Sequence, residues 1–194
     1  MNKIPYVNNA SEIIKVLESL EEQLKDSKLK KLRAFNTAYL IISRNIDKKN
    51  KDGYFEYPKL LENLDVNFVN YYLAAINNFY DQKPVANLWK IAFKTTNKNP
   101  LINLYLGANA HINDDLPLSL NETINTKAFY SDYQKAEVII FKSLDEIINS
   151  IFKTPPNIFL KTFYKTIMKF LIKRWRKNAW NKSNIQDQIR ATRS

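Results

Sequence analysis

The chain's only histidine shares a twelve-residue segment with one of its two glycines: Leu106-Gly107-Ala108-Asn109-Ala110-His111-Ile112-Asn113-Asp114-Asp115-Leu116-Pro117. Acid–base or ligand chemistry is expected here first. An imidazole titrates near neutrality, adjacent carboxyl groups supply charge, and asparagine side chains both donate and accept hydrogen bonds. On a helix, Asn103, Gly107, His111 and Asp115 recur every four residues and form one polar strip, with Asp114 beside it. In a functional reading His111 is the acid–base or donor group and Asp115 its orienting carboxyl. Asn109, Asn113 and Asp114 then contact a ligand, and Gly107 leaves room for the close approach of another group. The alternative from the same residues is a structural polar cluster that fixes a helix end.

Pro117 lacks an amide hydrogen and disfavours helical backbone at Leu116, which predicts that the helix stops near residues 113–115. His111 would then sit in the last turn. The negative helix end and the two aspartates would raise its pKa.

Several chemistries are excluded by what the chain lacks. With no cysteine there are no disulfides, thiolate metal sites or thiol nucleophiles. One histidine is too few for a typical zinc or iron site, while a carboxylate-rich Mg²⁺ or Mn²⁺ site stays open; the residues name neither a metal nor a cofactor. The residue three before His111 is Ala108, so the Glu-x-x-His pair of di-iron bundles is missing. There is no Gly-x-Ser-x-Gly elbow, and two glycines cannot build a phosphate loop or a dinucleotide fingerprint.

The elements that must position this segment read as helices. Proline and glycine are scarce and fall between long patterns of helical period, with no sustained strand-like alternation. The first helix is expected from about residue 11 to the high twenties, capped by Ser11, and the second from Leu29 to about Asn45. Asp47 to Gly53 reads as a loop. Pro58 opens a short helix and Asp65 caps the next, followed by helices near residues 85–95, 100–113 and 130–152, the last with Ser131 as a candidate cap. A final pattern begins near Asn157 and runs past Trp180. The expected fold is all-α, a single-domain bundle of about six to eight helices over residues 1–194.

The net charge is +11, and nearly all of it is C-terminal: residues 153–194 hold 11 Lys and Arg against Asp187 alone. Heavy use of Asn, Lys, Ile, Tyr and Phe, as in an AT-rich coding sequence, weakens the pI of 9.6 as a sign of nucleic-acid binding. Lys161, Lys165, Lys169, Lys173 and Lys177 recur every four residues in the basic C-terminal helix and tail, about residues 157–194, and like charges at this spacing repel. An anionic membrane surface, with Trp175 and Trp180 near the helix end, or nucleic-acid phosphates would compensate them; a solvated face over a buried helix is the alternative. No nucleic-acid motif is present. Without a signal peptide or an apolar run of roughly 18–20 residues, a cytoplasmic protein is expected.

Gly53-Tyr54-Phe55-x-x-Pro58, Leu64-Asp65-Val66-x-Phe68, Tyr72-Leu73, Trp89-x-x-Ala92-Phe93 and Gly107-x-Asn109-Ala110-His111-Ile112-Asn113-x-Asp115-Leu116 together resemble the bacterial domain-of-unknown-function family 5995. Asn-Ala-His-Ile-Asn is the most specific part, and Asp132-Tyr133 and Ala179-Trp180 fit looser positions. The resemblance covers most of the chain from about residue 50. It implies an all-helical domain without an assigned activity. An arginine is the family's usual residue where this chain has Tyr71, so no charge-pair role carries over there. The leading expectation is a small-molecule site at the His111 segment, walled by the region of Tyr71, Tyr72, Phe79, Tyr80 and Trp89. The rival is an interaction protein that meets an anionic partner through the basic helix.

Overall fold

The computed structural model describes residues 3–123 and 127–191, with side chains described as far as Ser183. All regular structure among them is helical: α1 (Ala10–Leu24), α2 (Arg33–Lys51), α3 (Pro58–Tyr80), α4 (Asn87–Lys94), α5 (Pro100–Ala110), α6 (Leu116–Thr123), α7 (Tyr130–Ile151) and α8 (Ile158–Ala191). A π-helical turn, His111–Asp115, welds α5 to α6, and short 3₁₀ turns precede α2 and α7. Residues 192–194 of the basic tail lie outside the described residues.

Several boundaries differ from the sequence expectation, each for a local reason. Asn9 caps α1 in place of Ser11, its side-chain oxygen accepting the Glu12 amide. The polar run after Asn45 is helical through Lys51, because Lys51 pairs with Asp47 one turn earlier and Lys48, Lys49 and Lys51 suit the negative end of a helix. Gly53 then ends the segment at φ 72°. Pro58 starts one continuous 23-residue helix rather than a short one, so Asp65 lies inside α3 and caps nothing. At α7 the helix begins at Tyr130 without a side-chain cap. The neighbouring Asp132 is turned inward, where it accepts the amides of Glu56 and Tyr57 and pins the α2–α3 loop.

Two groups of buried side chains form the core. The larger joins α1, α2, α3, α4, α5 and α7 with the middle of α8; the smaller joins α6, α7 and α8 to the start of α3. Phe68 and Ile112 pack against both. The chain before α1 lies along α3, where Asn77 bonds both the amide and the carbonyl of Ile4, and Asn70 does the same for Val7. Those asparagines supply the backbone partners that a non-helical buried segment requires.

Candidate functional site

Pro117 does not end the helix. The backbone widens by one residue, so that the Leu116 amide donates to the His111 carbonyl five residues back, and the helix resumes as α6. A π-turn relieves the i−4 carbonyl clash that proline causes in a regular helix, and such turns are enriched at functional sites. His111 is therefore in the interior of a long rod instead of at its end.

Around His111 the helices supply rings. Phe68 of α3 stacks on the imidazole at 3.5 Å with an interplanar angle of 5°, and Tyr39 and Phe35 of α2 lie 4.7 and 5.4 Å away, centroid to centroid. Tyr72 and Trp89 complete the enclosure at 5.9 and 6.1 Å. The imidazole is 3% exposed. Its Nδ1 lies 2.8 Å from Asp115 Oδ2, and the Trp89 indole N–H donates to both Asp115 oxygens at 3.1 Å. With the carboxyl oxygens accepting, Nδ1 carries the proton and Nε2 the lone pair. Nε2 has no hydrogen-bond partner among the described residues; His111 borders a small apolar cavity of about 80 Å³ lined also by Phe68, Ile140 and Met168.

The pKa expectation changes sign as a result. Desolvation by the aromatic shell lowers the His111 pKa below its ordinary 6.5, outweighing the hydrogen bond and charge of Asp115, which raise it. No helix terminus is present to favour the imidazolium.

The group that approaches Gly107 closely is the Phe35 side chain. A Cβ there would lie 2.5 Å from both Cβ and Cγ of Phe35. Phe35 fills the space one turn below the histidine.

The other side of the π-turn faces an open cleft of about 750 Å³ between α3, α4 and α6. Asn113, Asp114 and Asp115 form its polar wall; Tyr71, Trp89, Val85 and Pro117 line it, and Lys182 reaches it from α8. The structure thus brings Asp114, Asp115 and Asn113 together in one cleft and leaves His111 behind it. Asn109 is a step further back, where its side-chain and backbone oxygens accept from Asn113 Nδ2 and set the orientation of that amide. Asp114 Oδ2 is buried without a hydrogen-bond partner among the described residues. Burial, then the neighbouring Asp115, raises its pKa. Of the expected wall residues, Tyr71 and Trp89 line the cleft, whereas Tyr72, Phe79 and Tyr80 do not. At Tyr71 the phenol O–H donates to Glu122, and burial followed by that contact pushes its pKa up to about 12. Sequence reasoning missed Glu122 and Lys182, whose convergence depends on how α6 and α8 pack.

The lysine row of α8 is split. Lys161 and Lys165 both pair with Asp145 of α7, and Lys169 lies over the Phe141 ring, so their mutual repulsion is met within the bundle. Lys173 and Lys177 remain exposed. Trp175 and Trp180 are buried, packed against Tyr105 and Tyr133. Among the described residues no group of three or more His, Asp or Glu side chains is arranged to hold a metal ion, and no helix is long and apolar enough to cross a membrane.

Neither a comparison with curated proteins nor one with solved structures yields a match. The family model described as a family of unknown function, DUF5995, matches residues 10–192, almost the full length, and the chain belongs to that family.

Proposed function

We propose that the protein binds a small molecule in the cleft between α3, α4 and α6. The ligand is one whose amino or hydroxyl group donates to Asp114 while its apolar body rests on Trp89, Val85 and Pro117. The observation that carries this reading is the unpartnered Asp114 Oδ2 on the wall of a cleft with the volume of ordinary ligand sites. Asn113 supplies a second polar contact. His111 acts at one remove: with Trp89 it fixes the Asp115 carboxyl, and Asp115 in turn raises the pKa of Asp114. His111 and Asp115 are positioning residues in this account. Native mass spectrometry of the purified wild type beside Asp114→Ala is the test. A small-molecule adduct on the wild type alone is expected; identical bare masses, or an adduct equally held by both, count against the reading.

A second reading, an anionic membrane surface, is favoured by one observation. The first half of α8 presents Phe159, Phe163 and Phe170 at 84%, 58% and 64% exposure, with Ile167 and Leu160 beside them. A contiguous exposed apolar stripe of this kind marks an interaction surface, and the exposed Lys173, Arg174 and Lys177 follow it along the same helix. The apolar contact would come from these phenylalanines, not from the tryptophans. Co-sedimentation with vesicles of phosphatidylserine and phosphatidylcholine is expected to fall about tenfold or more in Phe163→Ser/Phe170→Ser, since each buried ring contributes roughly 1.5–3 kcal/mol. No sedimentation of the wild type, or none lost in the double variant, contradicts it.

A further inference from the structure

A second cleft of about 630 Å³ lies where the α1–α2 turn, the chain leading into α5 and the α7–α8 turn meet. It shares no residue with the Asp114 cleft. Among the described residues its lining includes six cations, Lys25, Lys30, Lys31, Arg33, Lys98 and Lys153, and no carboxylate. Lys25 pairs with Glu22 and Arg33 with Glu21, whereas Lys30, Lys31, Lys98 and Lys153 have no carboxylate within 4 Å among the described residues. These four come from three separate stretches of sequence, so neither helical periodicity nor the basic C-terminal composition accounts for their meeting. Like charges gathered around a concavity raise the local potential and attract an anion.

Two further features point the same way. The first turn of α5 opens on this cleft through Pro100 and Asn103, adding the positive end of an 11-residue helix. Asn103 is 5% exposed, and while its amide donates to the Asn97 carbonyl, its Oδ1 has no partner among the described residues. Buried amide oxygens are ordinarily hydrogen-bonded. A ligand that carries an O–H or N–H donor beside its negative charge would satisfy this one.

We propose that this cleft binds a multiply charged, phosphate-bearing small molecule, with Lys30, Lys31, Lys98 and Lys153 on its phosphate oxygens and Asn103 accepting from a hydroxyl of its organic part. A lysine acts here as a compact point charge and needs no fixed geometry to hold a phosphate. The concave shape and volume suit a single small ligand.

The test is isothermal calorimetry of the full chain with pyrophosphate and with a sugar diphosphate, at fixed ionic strength. Saturable binding of pyrophosphate is expected, tighter for the sugar diphosphate because of the hydroxyl contact. In Lys31→Ala/Lys98→Ala affinity falls about tenfold or more, the effect of losing two charge-assisted contacts. Lys173→Ala/Lys177→Ala removes the same charge outside the cleft and leaves binding unchanged. Melting temperature should not fall in Lys31→Ala/Lys98→Ala, since its removed charges repel. Absence of saturable pyrophosphate binding at millimolar concentration overturns the proposal, as does equal weakening in the two double variants, which would mean general attraction to a cationic protein. Equal affinity for the two probes would remove the Asn103 contact from it.

Discussion

Asp115→Ala is expected to destabilise the protein by about 3–5 kcal/mol, because it strips the acceptor from two enclosed donors at once. The Trp89 indole N–H is directed at both Asp115 oxygens, and His111 Nδ1 at one of them, and all three residues are buried, at 5% exposure or less. A melting temperature lower by on the order of 10 °C follows for a chain of this size. Asp115→Asn should cost less: its amide oxygen still accepts from Trp89, and its NH₂ can donate to Nδ1 if the imidazole proton moves to Nε2. Equal melting temperatures for wild type and Asp115→Ala would mean that the His111–Asp115–Trp89 contacts do not form in solution.

The same group makes stability pH-dependent, with a sign set by burial. His111 has a folded pKa below its ordinary 6.5, so its contribution is complete above pH 6.5 and is lost as pH falls towards the folded value. Asp65 acts oppositely. Burial raises its pKa from 3.8 to about 7, so its contribution is complete below pH 3.8 and lost as pH rises through 7. The His111 part is therefore read as a difference: between pH 7.5 and 5, the urea midpoint of the wild type should fall relative to that of His111→Gln. Parallel curves for the two proteins would contradict the neutral, buried imidazole.

Gly107→Ala is the second large effect. An added Cβ would meet Phe35 Cβ and Cγ at 2.5 Å, well inside contact distance, and those atoms are the stiff root of that side chain. Its ring has little freedom to swing, being packed edge-on against Tyr72 at 5.2 Å, His111 at 5.4 Å and Trp89 at 5.9 Å. Overpacking of this kind costs about 1–3 kcal/mol or more, and the gain of about 1 kcal/mol in helix propensity offsets only part of it. A net loss of roughly 2 kcal/mol, about 4–8 °C in melting temperature, is expected by thermal denaturation. A raised melting temperature would show that α2 can move away from α5 at little cost.

Helical periodicity carried the fold class, the approximate place of most helices and the approach of His111 to Asp115 one turn on, whereas Asn103, expected on the same strip, lines the other cleft. Proline misled where local rules met tertiary packing. At Pro58 the expected break between a short helix and Asp65 is absent, because a proline in the first turn only begins a helix. At Pro117 a widened turn absorbs the missing amide, and nothing in residue types alone separates a π-turn from a helix end. That single difference moved His111 from a hydrated terminus to a dry interior and reversed its pKa shift. The basic cleft was equally illegible, since Lys30, Lys98 and Lys153 become neighbours only when three connections meet. The opposite error arose in α8, where a regular lysine row looked unpaired until α7 placed Asp145 beside it.

We propose that the Asp114 cleft is a ligand site held in shape by the His111–Asp115–Trp89 contacts. The most direct test is native mass spectrometry of the wild type, Asp114→Ala and Ala74→Phe, followed by denaturing analysis of whatever is released. Ala74 is half-buried on the cleft wall, so Ala74→Phe adds bulk to the cleft from the α3 side and keeps every polar side chain of its lining. The account predicts a small molecule released from the wild type and missing from both variants at undiminished folding. The same molecule retained by folded Ala74→Phe, or none on the wild type, would contradict it.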